Sequence, residues 1–199
     1  MAYAPHFAEA SRKYRPTPIR LLFIAEAPPA LKFGRFFYFA SLTNGDTLFL
    51  EMMKVLYPID TGFVEYDDNR KPDFDAKRVR QSKEKWLKKF KRDGFYLIDA
   101  LEQPMPENAG TTTKKQMIRS ALPELRRKVQ RLCSDGDVPV ILIGSPTYSV
   151  CAEAIRNDGL GVLNEEMIDH PARGGQKLFR RKLGEIIRKF AIETSDRTS

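Results

Sequence analysis

Three stretches of the chain are short and almost continuously apolar: Ile19 to Ala25 between Pro18 and Pro28, Gly94 to Ala100 ahead of Pro104, and Val138 to Gly144 running into Ser145-Pro146. Apolar runs of this length suit strands buried on both faces of a parallel sheet. Between them the pattern changes to a helical period. Asp46 to Leu56 is amphipathic, with Asn44 or Asp46 placed to cap it. Asp75 to Arg92 gathers Val79, Trp86, Leu87 and Phe90 on one stripe and lysines on the other. Thr113 to Leu132 reads as a helix with a break before Pro123. Tyr148 to Asn157 follows the third strand, and Gln176 to Ala191 forms the last helix. A fourth, short strand is expected at Leu160 to Leu163.

Strands alternating with helices predict a three-layer α/β/α fold with a central, mostly parallel four-stranded sheet. One domain over residues 1–193 accounts for the whole pattern, leaving 194–199 as a disordered tail. In such sheets the working residues lie just beyond the carboxyl ends of the strands. That rule selects Glu26 to Pro29, Asp99 to Pro104, and Ser145 to Tyr148.

Charge changes the picture. The net charge is +8, but it is strongly segregated: Arg70 to Arg92 carries +8, Lys114 to Arg131 +6 and Arg173 to Lys189 +6, so the remainder is acidic. A single lysine-rich helix is most often a solvated face; three basic segments point to a polyanion, and DNA is the expected partner. No apolar run approaches the roughly 20 residues that span a bilayer, and the first twenty residues lack a secretory pattern. The two cysteines, Cys133 and Cys151, are too few for a disulfide framework, a four-thiolate zinc site or an iron–sulfur cluster. The expectation is a monomer in a reducing cytoplasm, with no membrane partner, metal or cofactor.

Four short motifs occur in order. Ile24-Ala25-Glu26-Ala27-Pro28-Pro29 follows the first strand; Phe36-Phe37-Tyr38-Phe39-Ala40 precedes Asn44; Leu97-Ile98-Asp99 ends the second strand; and Asp169-His170-Pro171-Ala172-Arg173-Gly174-Gly175 leads into the last helix. Together they resemble the uracil-DNA glycosylase superfamily, and Phe39 to Tyr57 looks most like its mismatch-specific uracil/thymine branch. The resemblance spans roughly Ile19 to Phe190. It departs from the family at Ala25 and Pro29, where glycines are usual, at Ala172 in place of a serine, and at Asp99 in place of an amide.

The resemblance implies a DNA glycosylase that hydrolyses the N-glycosidic bond of a damaged or mismatched base flipped out of the helix. Glu26 would stabilise the cationic sugar and orient water, and His170 would donate to the base carbonyl as charge develops on it. Ala27, Phe39 and Asp99 would hold the base, Phe39 by stacking. Arg173, Lys177, Arg180 and Arg181 would hold phosphates.

Each residue also has a plain structural reading: a loop glutamate, a helix-capping histidine, a core ring. An ionised Asp99 only accepts hydrogen bonds, so it would repel a carbonyl that an amide could satisfy. Either burial keeps Asp99 protonated or the favoured base is not plain uracil. A non-catalytic member binding DNA or a modified base stays open, as does a small-molecule hydrolase, although the basic segments argue against the latter. Ser145 lacks a nucleophile elbow and a histidine partner, so Gly144-Ser145-Pro146 reads as a strand-to-helix turn.

Overall fold

The computed structural model describes residues 5–30, 35–41, 45–66, 70–134, 137–172 and 174–196. The three apolar runs are strands β1 (Leu21–Ala25), β2 (Phe95–Asp99) and β3 (Val140–Leu142), all parallel, in the order β2-β1-β3. The register pairs Ala25 with Asp99 and Ile24 with both Ile98 and Leu142. Every residue of central β1 is buried, although successive side chains point to opposite faces, so both faces of the sheet are covered.

Helices α1 (Pro5–Lys13), α2 (Thr47–Leu56), α3 (Pro58–Thr61), α4 (Ala76–Gln81), α5 (Lys83–Arg92), α6 (Thr111–Leu132), α7 (Ser145–Asn157) and α8 (Gln176–Asp196) complete the architecture among the described residues. The core runs through Phe23, Phe37, Phe49 and Phe90, whose rings contact one another edge-on, tilted or stacked. Among the described residues, no helix is long and apolar enough to cross a membrane.

Several boundaries differ from the sequence pattern. The expected helix over Asp75 to Arg92 is two helices: Ser82 lies between them, and its hydroxyl caps the end of α4 by donating to the Arg78 carbonyl at 2.9 Å. Helix α6 starts at Thr111 and passes through Pro123 without a break. Pro123 and Arg119, four residues earlier, are both exposed, so water can serve the carbonyl that proline leaves without a donor. Helix α8 continues to Asp196, so the expected tail does not begin at Thr194. Asp46 is the N-cap of α2, but its side chain makes no cap bond and its backbone is left-handed, at φ 70°. The alternative cap, Asn44, lies outside the described residues.

The fourth strand is present only in outline. Beside β3 the chain makes two isolated parallel bridges, Val162 with Val140 and Ile168 with Ile143, instead of a ladder. Between them the Asn164 side chain takes the place of a peptide group: its Oδ1 accepts from Leu142 N at 3.0 Å, and its Nδ2 donates to Leu142 O at 3.2 Å. On the opposite edge the buried Tyr38 hydroxyl accepts from Leu97 N at 2.7 Å and donates to Leu97 O at 3.0 Å.

Candidate active site

Backbone pairing at the carboxyl ends of the strands brings two distant residues to one end of the sheet, and a side chain from α6 adds a third. Ile143 N donates to Ile24 O at 2.8 Å, and Gly144 N to Ile168 O at 2.7 Å. Two residues beyond Ile24 comes Glu26, and two beyond Ile168 comes His170. Both therefore emerge at the same end of the sheet. Leu101 N ties the Glu26 carbonyl to the segment leaving β2, at 3.1 Å.

The Glu26 side chain lies against Gly144. A Cβ placed on that glycine would come 2.5 Å from Glu26 Oε1 and 2.6 Å from its Cγ, and Gly144 has φ 102°, which L side chains rarely adopt. The turn before α7 is thus a seat for Glu26, which gives Gly144-Ser145-Pro146 a role beyond a change of direction.

The third member is Lys114, in the first turn of α6. Its Nζ donates to Glu26 Oε2 at 3.0 Å, and the two side chains are 34% and 15% exposed. His170 feels both charges. The residue retains an exposed surface, yet the protein around its imidazole strips enough water to push the pKa below the usual histidine value; the Glu26 carboxylate opposes that shift and the Lys114 ammonium adds to it. At neutral pH the ring is uncharged, with one nitrogen donating and the other accepting.

The other expected residues lie elsewhere. Asp99, 6% exposed at the end of β2, lines a cavity of about 430 Å³ with Leu101, Gln103, Met117, Ser120 and Leu125. Neither Glu26, Ala27, Phe39 nor His170 contributes to that wall. The two places are linked through α6, since Met117 stands one turn after Lys114. Half-buried Phe39 stacks on Phe7 of α1 at 5.7 Å between ring centres and meets Phe36 edge-on at 5.4 Å. Ala27, half-buried, packs against the core beside the Glu26 loop.

Of the phosphate-binding candidates, Lys177 and Arg181 are exposed on α8, and Arg173 lies outside the described residues. Arg180 requires a correction. Its guanidinium is buried, with Nη1 on Glu51 Oε2 at 2.5 Å, Nε on Glu65 Oε2 at 3.0 Å and Nη2 on Glu65 Oε1. A guanidinium committed to two carboxylates in the interior does not reach DNA. Lys83 likewise leaves the expected basic face: it is fully buried, bonded to Asp46 and to the Phe36 carbonyl.

Among the described residues no group of three or more histidine, cysteine or acidic side chains is arranged to hold a metal ion. Burial pushes the thiols of Cys133 and Cys151 up to about 11 and about 12, which leaves both as unreactive thiols near neutral pH. No protein-family model matches the chain, and no curated protein is detectably similar to it.

Proposed function

We propose that this protein is a DNA N-glycosylase of the uracil-DNA glycosylase type, hydrolysing the bond between deoxyribose and a damaged or mismatched base. The observation that carries the reading is the convergence of Glu26, Lys114 and His170 at the carboxyl end of a parallel sheet. Cleavage leaves positive charge on the sugar and negative charge on the departing base. Glu26 offers the first a carboxylate and positions the attacking water. The water's oxygen bonds to C1′ as the bond from C1′ to the base nitrogen breaks, the base leaves with that electron pair, and Glu26 takes the water's proton. Neutral His170 offers an N–H to the base carbonyl. Lys177 and Arg181 lie on the surface of the helix that follows His170, where they hold the strand by its phosphates.

A second reading, a non-catalytic protein that binds DNA or a modified base, draws on one observation. Glu26 is already paired with a lysine, which offsets the charge that catalysis would use.

Base release from oligonucleotides carrying uracil, hypoxanthine, xanthine or mismatched thymine separates the two. For the enzyme, one of these bases is released, and Glu26→Gln slows release by roughly 10²- to 10⁴-fold with DNA affinity unchanged or slightly higher. Normal release by Glu26→Gln would remove Glu26 from the chemistry. No release of any base by the wild type would favour the binding protein.

A further inference from the structure

The interior cations differ in how fully they are used. Arg180 and Lys83 are enclosed and bonded to two partners each. Lys114 is one-third exposed, and among the described residues its ammonium, which has three N–H donors, makes one hydrogen bond, to Glu26. A singly bonded, solvent-accessible ion pair is weak, so another anion can compete for the lysine at small cost.

Within the glycosylase reading, on which this inference rests, we propose that Lys114 is a phosphate latch: its ammonium leaves Glu26 for a phosphodiester oxygen next to the target nucleotide, which restricts the site to nucleotides within a strand and excludes free nucleosides. A carboxylate with an ammonium 3.0 Å away has much of its field cancelled. It serves an emerging sugar cation best once that ammonium has turned away. A sugar placed against Glu26 brings the needed competitor with it, because phosphodiesters flank it on both sides, within the reach of a lysine side chain. A nucleoside carries no such anion, so Lys114 would stay on Glu26 and the carboxylate would stay masked. Gly144 makes the exchange local: Glu26 rests on the glycine, so it is the lysine that is free to swing.

The test uses two short single-stranded oligonucleotides with an uncleavable tetrahydrofuran site at the centre. In one the two flanking linkages are ordinary phosphodiesters; in the other they are neutral methylphosphonates. The wild type should prefer the charged probe, and Lys114→Met should cut that preference by about 5- to 20-fold. The same change should lower the slope of log affinity against log salt by about 0.7, the value for one phosphate contact on a single strand. Lys114→Arg should restore both, and Lys114→Gln repeats the loss with a polar side chain.

A readout independent of affinity comes from the imidazole resonances, since the chain has two histidines, His6 and His170. The charged probe should raise the His170 titration midpoint, because a cation that lowers it has moved off and an anion has arrived. The neutral probe should raise it less. Equal charged-to-neutral preference in wild type and Lys114→Met would overturn the latch, as would a His170 titration that the two probes affect equally. A latch that passes these tests in a protein releasing no base would remove the glycosylase reading and leave Lys114 as a phosphate-responsive residue of a DNA-binding site.

Discussion

Two charged clusters, one interior and one at the strand ends, are built from the same residue types and behave differently. Around α2 and α8, Arg180 links Glu51 to Glu65, and Glu51 also accepts from Lys54 at 2.6 Å; Phe63 and Phe74 lie against the cations. At the strand ends, Lys114 and Glu26 share one bond beside a histidine, with solvent access. The first arrangement is enclosed, so its charges are spent on holding the fold. The second is under-coordinated, and a ligand can complete it. In this chain the solvent access of an ion pair sets the candidate site apart better than net charge does.

The contrast is most exposed to failure at the buried pair next to α5. Lys83→Met should cost about 3–5 kcal/mol in denaturant unfolding, because it leaves Asp46 buried without its cation. Adding Asp46→Asn should recover most of that loss. A cost below about 1 kcal/mol would mean that the pair behaves as a solvated one.

Arg180→Met should cost about 2–3 kcal/mol, less than Lys83→Met because Glu65 is 30% exposed and Glu51 retains Lys54. Its affinity for DNA should match the wild type. A selective loss of DNA binding in a stably folded Arg180→Met would restore Arg180 to the phosphate-binding set.

A smaller effect is readable in pH. Burial pushes the Asp46 carboxyl up from 3.8 to about 6, with Lys83, Arg80 and Arg35 opposing. A carboxyl that keeps its proton longer in the folded chain stabilises the fold below its unfolded value, and the contribution disappears as pH rises through its folded value. The stability of wild type relative to Asp46→Asn should therefore decline between pH 3.8 and about 6 and then level off. A flat difference would show that Lys83, Arg80 and Arg35 offset the desolvation of Asp46 in full.

The smallest change in stability belongs to the exposed cations. Lys177→Glu with Arg181→Glu should alter unfolding by no more than about 0.5 kcal/mol, while flattening the salt dependence of DNA binding by about 0.9 in slope for each duplex phosphate that is no longer neutralised. Unchanged DNA binding would show that α8 does not face the nucleic acid.

How much of this was legible follows from the range of each signal. The strands were clear because burial on both faces writes itself as a local apolar run. The fourth strand was half clear: Val162 pairs, but the edge is then satisfied by an Asn164 side chain that no periodicity announces. Helix α1 carries no clear apolar period in the sequence, although Phe7 and Tyr14, a heptad apart, both enter the core. That omission matters for Phe39, whose ring lies on Phe7.

In the site, Glu26 and His170 were visible from their positions beyond strand-like segments. Lys114 was not, since it is 88 residues from Glu26 and one of seven cations in a basic stretch. The inward turn of Lys83 did leave a trace: it falls three, four and seven residues before Trp86, Leu87 and Phe90, on the apolar stripe itself. A cation on a hydrophobic stripe was a better guide to burial than the charge count of its helix.

The phenol of Tyr38 and the amide of Asn164 carry one further consequence. A sheet whose outer strands read Phe-Tyr-Leu-Ile-Asp and Val-Ile-Leu is an attractive template for other chains, because unpaired edge groups recruit passing strands into fibrous stacks. Here each rim ends in a side chain that imitates the next peptide at one position, Leu97 on one side and Leu142 on the other. An incoming strand would have to expel a buried hydroxyl or a buried amide before making its first central hydrogen bond. The two side chains therefore act as stoppers against runaway strand addition. Exchanging Tyr38 for phenylalanine would leave the core nearly as apolar while freeing the Leu97 peptide groups at the β2 rim, whereas the β3 rim would keep its bridges to Val162 and Ile168.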